Sequence, residues 1–171
     1  PRLADLVFTA IELMPLSTFG GDWGWGYDGV LPFAPHPAYG SPEDLKYFVD
    51  AAHALGLSVF VDVVYNHFGP DGNYLSLYAP QFFSTTHESP WGRAINFDQA
   101  GSDVVREFFI DNALYWIKEF QMDGLRLDAV HAIVDDGSSH ILEDLSRRVR
   151  KFAQSEGREV HLVLENEKNQ A

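Results

Sequence analysis

The stretch Gly124-Leu125-Arg126-Leu127-Asp128-Ala129-Val130-His131 decides the fold. Apolar residues surround Arg126 and Asp128, which stand two apart and so point to one side of a strand. A charged pair on an otherwise apolar strand is costly unless the charges are paired or used. His131 follows at once, where the strand should open into a loop. Taken alone, the pattern fits a buried ion pair that only holds the fold as well as it fits a catalytic pair.

Working outward, three more runs share this character. They are Val7-Phe8-Thr9-Ala10-Ile11-Glu12-Leu13-Met14-Pro15, Ser58-Val59-Phe60-Val61-Asp62-Val63-Val64-Tyr65 and Val160-His161-Leu162-Val163-Leu164-Glu165. Nearly continuous apolar runs suit parallel strands buried on both faces. Helical patterns lie between them. Ser41 reads as a cap, with Pro42, Glu43 and Asp44 in the first turn and Leu45, Phe48, Val49, Ala52 and Leu55 as the apolar stripe. Ser102 reads as the cap of a helix reaching about residue 120, and residues 140–155 form another, ended by Gly157. Alternating strands and helices predict an α/β domain with a parallel sheet, open or closed into a barrel. Residues 68–101 are long for a connection and read as a functional loop or small inserted subdomain. Residues 1–171 then make one domain, and both ends read as interrupted: a helix tail before the first strand, and a loop just begun at 165–171.

Composition narrows the partners. Hydrophobic residues are 46% and aromatic residues 14% of the 171, a globular balance. The formal net charge of −13, with no basic run beyond Arg147–Lys151 on a mixed helix, argues against nucleic acid. No apolar run approaches the roughly 20 residues of a membrane span. The absence of cysteine removes disulfides and thiol chemistry and fits a reducing compartment, so a cytoplasmic location is expected.

In parallel α/β folds the loops after strand C-termini build the site. Asp62, Asn66, His67, Arg126, Asp128, His131 and Glu165 all fall there. Asp128 and Glu165, from neighbouring strands, could bring their carboxyls to roughly 5–6 Å, the spacing of retaining glycoside hydrolysis. Arg126 would keep Asp128 oriented as a nucleophile, and apolar strand neighbours would suit Glu165 to the acid role. His67 and His131 would meet sugar hydroxyls. The glycine- and aromatic-rich run Phe19-Gly20-Gly21-Asp22-Trp23-Gly24-Trp25-Gly26-Tyr27-Asp28-Gly29 offers flat rings to a sugar, or else plugs the core, and Trp91 offers another ring. No metal site is expected: Asp71-Gly72-Asn73 lacks the other ligands of a calcium loop, and no tight two-histidine motif exists.

These residues resemble the α-amylase family of glycoside hydrolases. Asp62-Val63-Val64-Tyr65-Asn66-His67 is similar to its first signature, residues 124–131 to the second, and Leu162-Val163-Leu164-Glu165 to the third. The resemblance implies a (β/α)8 TIM barrel, of which this chain matches strands two to five. It also implies Asp128 as nucleophile, Glu165 as acid/base, and Arg126 beside the nucleophile. By the same resemblance Asp62, His67 and Tyr27 hold the reactive sugar, and His131 lies on the leaving-group side. No cofactor is implied. Residues 10–15, 25–30, 33–36, 65–74 and 128–133 are most similar to the trehalose-releasing branch of the family. That likeness implies an α-glucan substrate of the maltooligosyl trehalose kind, cut at the α-1,4 bond next to the terminal trehalose, with Trp91 against the trehalose side or simply in the core. Branching enzymes are the rival, sharing features of residues 90–97; His131 weighs against them. The family's third catalytic aspartate has no counterpart here. The chain by itself is therefore expected to be inactive, with two open sheet edges; the alternative is a non-catalytic carbohydrate-binding barrel fragment.

Overall fold

The computed structural model describes residues 1–167. Its frame is a four-stranded parallel sheet of β1 (Ala10–Leu13), β4 (Ser58–Val63), β7 (Gly124–Leu127) and β8 (His161–Leu164), in that spatial order. Strands adjacent in the sheet are successive in the alternation, as βαβ units lay them down. Helix α2 (Pro42–His53) joins β1 to β4, α4 (Ser102–Glu119) joins β4 to β7, and α5 (Ile141–Glu156) joins β7 to β8. The short helix α1 (Arg2–Asp5) precedes β1. A small antiparallel pair, β2 (Ser17–Thr18) and β3 (Leu31–Pro35), brackets the aromatic loop.

Residues 68–101 contain helix α3 (Leu75–Tyr78) and an antiparallel hairpin of β5 (Phe83–Ser89) and β6 (Gly92–Ile95), with Trp91 in its turn. The hairpin rests on the α4 face through Phe68, Phe82, Phe83, Phe97 and Phe109, all buried. Several of these rings meet edge-to-face, the geometry aromatic quadrupoles favour.

Helix α2 starts as the sequence reads. Ser41 Oγ accepts from Asp44 N–H at 3.2 Å, and the Asp44 carboxylate accepts from Ser41 N–H at 2.8 Å, closing a capping box. Of its expected stripe, Val49 and Ala52 are buried, whereas Phe48 and Leu55 are exposed. Helix α4 corrects an expectation: Gly101, not Ser102, is the N-cap, with φ +82° and no side-chain cap bond. A glycine reaches that left-handed turn without the clash that a serine side chain would meet.

The strands are shorter than their apolar runs. The first covers only Ala10–Leu13, since Val7 turns at φ +65°. The third stops at Leu127; Ala129 adopts φ +44°, and a single 3-10 turn occupies Val130–Ala132. Burial on both faces holds for β4 and β7 but not for the outer pair. Val163 and Leu164 of β8 are about half exposed, as are Phe8 and Met14 flanking β1. The outer strands have a hydrogen-bonded neighbour on one side only among the described residues, so their apolar faces are uncovered. The loop expected at 165–171 lies, from residue 168 on, outside the described residues.

Candidate active site

Sheet register sets the site. Asp62 stands opposite Arg126, and Arg126 opposite Val163, so β4 and β7 offer one carboxylate and one guanidinium side by side at their C-terminal ends. Past the strands, the backbone ladder continues. Asp128 N–H donates to Val63 O at 3.0 Å, Glu165 N–H to Leu127 O at 3.0 Å, and Val130 N–H to Glu165 O at 3.0 Å. These bonds hold Asp128 and Glu165 on adjacent chain segments above the sheet.

Arg126 is the hub. Its Nη1 donates to Asp62 Oδ2 and, at 2.9 Å, to Asp128 Oδ1, while its Nη2 lies 3.7 Å from Glu165 Oε2. Burial works against the guanidinium charge, and Asp62 and Asp128 outweigh it, raising its pKa further. Tyr27 Oη donates to Asp62 Oδ2 at 2.8 Å. Burial, then the bond to Asp62, push the Tyr27 phenol up to about 12. Asp62 is pushed up to about 6 by burial, against the opposing pull of Tyr27 and Arg126. Its Oδ1 is buried and has no hydrogen-bond partner, the kind of acceptor a sugar hydroxyl would satisfy.

Asn66 enters where the sequence reading gave it no role. Its Nδ2 donates to Asp128 Oδ2 at 3.1 Å and to Asp128 O at 2.9 Å. With Arg126 on Oδ1, both Asp128 oxygens are fixed. The signal was its place, four residues past Asp62 at a strand end. Asn66 Oδ1 also faces His67 Nδ1. His67 is buried, and burial lowers its pKa despite Asp28 and Asp128, so the neutral ring prevails at pH 7. Trp91 stacks on that ring at 5.2 Å between centroids and 25° between planes, and is half exposed, so it is not a core tryptophan. Its hairpin thus roofs one side of the site.

Glu165 departs from expectation. Its neighbours are not only apolar: Oε2 accepts from Ala129 N–H at 2.7 Å and faces Arg126. A strand-by-strand reading sees only the residues beside Glu165 in sequence. The left-handed turn at Ala129 folds a backbone donor over from the neighbouring strand. His131 is half-buried; its Nδ1 has no partner and its Nε2 lies 3.8 Å from Glu167 Oε2.

Of the aromatic loop's rings only Phe19 is buried, stacked on His36; the others do not plug the core. Trp23 and Trp25 are exposed at 93% and 77%, whereas Tyr27 turns inward onto Asp62. Glycines let the loops close this tightly. A Cβ at Gly26 (φ +91°) would lie 2.1 Å from Pro15 O, and one at Gly69 would lie 1.9 Å from Asp28 O.

The Asp62 value gives a measurable titration. A carboxyl raised from its unfolded value is most favourable to folding below that value, and its contribution is lost as pH rises through the folded one. The Asp62 carboxyl carbon resonance should therefore titrate near pH 6, with folding stability falling across the window between the ordinary carboxylate range and about 6. Tyr27→Phe, which removes a donor to the ionised form, should move the midpoint higher. A midpoint in the ordinary range would mean that Arg126 outweighs burial.

Residues 2–84 match the family model for the alpha amylase catalytic domain. Across 150 residues, 88% of this chain, the sequence is 52% identical to a malto-oligosyltrehalose trehalohydrolase of Saccharolobus solfataricus. The chain belongs to the α-amylase family. It spans 27% of that relative's length. A 1,4-alpha-glucan branching enzyme of Pseudoalteromonas atlantica is 40% identical over 78% of this chain and 19% of its own. A crystal structure of a Salmonella typhimurium protein classed with the alpha amylases superposes with a TM-score of 0.93 at 49% identity, covering 99% of this chain and 28% of the other. The parallel sheet is accordingly part of the family's (β/α)8 barrel. No helix of the described residues is long and apolar enough to cross a membrane.

Proposed function

We propose that this α-amylase-family chain supplies the nucleophile and the acid/base of a retaining glycoside hydrolase acting on maltooligosyl trehalose, cutting the α-1,4 bond next to the terminal trehalose. The observation that carries the chemistry is the shared guanidinium: Arg126 contacts Asp128 directly and stands beside Glu165. Two carboxylates from adjacent strands are thereby held over one side of the sheet, as double displacement requires. The choice of bond rests on the trehalohydrolase relatives.

Asp128, with both oxygens oriented by Arg126 and Asn66, attacks the anomeric carbon as the bond to the leaving oxygen breaks. Glu165 gives that oxygen its proton, and the trehalose end departs. A glycosyl–Asp128 ester remains. Glu165, now a carboxylate, takes a proton from water, which attacks the same carbon and frees Asp128 with net retention. Asp62, through its unpartnered Oδ1, and neutral His67 hold hydroxyls of the reacting sugar, and Tyr27 presents its ring beside it. Trp91, stacked on His67, extends the aromatic roof, and His131 lies toward the leaving group. Neither nucleic acid nor membrane has a part in this reading. A cysteine-free chain suits a cytoplasmic location.

The test is product analysis with the full-length enzyme and, separately, this 171-residue chain, each given maltooligosyl trehalose and plain amylose. Free trehalose from the full-length enzyme, with no turnover by the 171-residue chain, is expected. New α-1,6 branches in amylose without trehalose would transfer the assignment to a branching enzyme.

A further inference from the structure

Away from the catalytic rim, three side chains with metal-binding chemistry converge from separate segments. His87 lies on β5, Asp98 just after β6, and Asp136 in the connection that follows the nucleophile strand β7. His87 Nε2 is 2.7 Å from Asp98 Oδ2 and 3.9 Å from Asp136 Oδ2, and one ligand atom from each residue lies within 4.8 Å of the others. The Asp136 backbone N–H also donates to Asp98 Oδ2 at 2.9 Å, which ties the two loops together.

A hydrogen-bonded clip accounts for only part of this. The Asp98 side chain is 6% exposed, and its second oxygen, Oδ1, is buried without any hydrogen-bond partner. An unsatisfied buried carboxylate oxygen is expensive. The oxygen that faces His87 and Asp136 is Oδ2, so a cation seated there would satisfy Oδ1 by taking both oxygens of the carboxylate. The Asp136 side chain is 81% exposed, so an ion has a path in and that ligand has room to move. Backbone bracing fixes the other two: His87 N–H donates to Ser84 Oγ at 2.9 Å, and Asn96, two residues before Asp98, has its amide bound to Gln81 O at 2.9 Å.

We propose that His87, Asp98 and Asp136 form a binding site for a divalent transition ion, zinc being the best fit, which staples the hairpin carrying Trp91 to the loop behind the nucleophile strand. One imidazole with two carboxylates is a donor set that suits zinc and leaves a position for water. Tetrahedral zinc with bonds of about 2.0–2.2 Å sets neighbouring ligand atoms about 3.4 Å apart. His87 and Asp98 would separate by roughly 0.7 Å from their hydrogen-bonded contact, and the exposed Asp136 carboxylate would draw in by about 0.5 Å toward His87 and by up to about 1.4 Å toward Asp98. Binding would couple the substrate roof to the nucleophile loop without touching the reacting groups. The sequence conceals the site because its residues are 11 and 38 positions apart, with no short motif.

Chelator-stripped protein titrated with zinc by calorimetry, with thermal unfolding in parallel, tests this. One ion bound per chain and a raised unfolding midpoint are expected. Asp136→Asn, an exposed change, should leave the zinc-free midpoint unaltered and weaken zinc at least tenfold. Adding His87→Gln should abolish the zinc-dependent rise. No saturable binding, or a loss below tenfold in Asp136→Asn, overturns the site and leaves a hydrogen-bonded clip.

Discussion

Asp128→Asn in the full-length enzyme should lower kcat by about 10⁴-fold or more, with KM changed little. The substitution keeps the shape of the side chain and one of its two contacts, since an amide can accept from Arg126 or from Asn66 but not from both, and it removes the nucleophilic charge. No covalent intermediate can then form, so product release and substrate binding are irrelevant to the loss. Glu165→Gln makes the internal comparison. General acid catalysis contributes about 10²- to 10⁴-fold, and a substrate with a good leaving group needs it less. An activated aryl glycoside should therefore recover much of the first-step rate in Glu165→Gln and none in Asp128→Asn. Should Asp128→Asn keep a tenth of the wild-type rate, or recover on the activated substrate, Asp128 is not the nucleophile.

Arg126→Met should cost about 3–5 kcal/mol of folding stability at pH 8, read by urea or thermal unfolding. Asp62 is then left in a site where its side chain is 3% exposed, with Tyr27 as its remaining donor. A charge without its partner in such surroundings is the expensive case, far more than an exposed ion pair. The loss should shrink at pH 5. Asp62 already stands near 6 in the intact protein, and without Arg126 it would take up a proton more readily still. Arg126→Lys should recover part of the stability. A point charge can meet Asp62, but it cannot reach Asp62, Asp128 and the Glu165 side together as the planar fork does. A pH-independent cost under about 1 kcal/mol would show that Asp62 does not depend on the guanidinium.

Much of this was legible in the sequence because its signals are local. Four apolar runs, three helices between them and Ser41-Pro42-Glu43-Asp44 as a helix start follow from periodicity and capping chemistry, which act over a few residues. The Arg126–Asp128 pair follows from a period of two along one strand. Strand ends were less legible. An apolar run does not say where the chain must turn, and the turns at Val7 and Ala129 are left-handed at residues that do not announce it.

The site divides in the same way. The sequence by itself determined which chemical groups reach the rim, because strand C-termini in a parallel α/β fold collect the polar residues that end each apolar run. Only the tertiary structure decided how those groups pair. Asn66 on Asp128, the Ala129 N–H on Glu165, Tyr27 on Asp62 and Trp91 over His67 each join segments brought together by register or loop packing. The His87–Asp98–Asp136 group is the extreme case, three residues from a hairpin and a distant loop. Hydrogen bonds and ion pairs act within a few ångströms in space whatever the separation along the chain, so a linear pattern carries the parts of this protein and the packed fold carries their assignments.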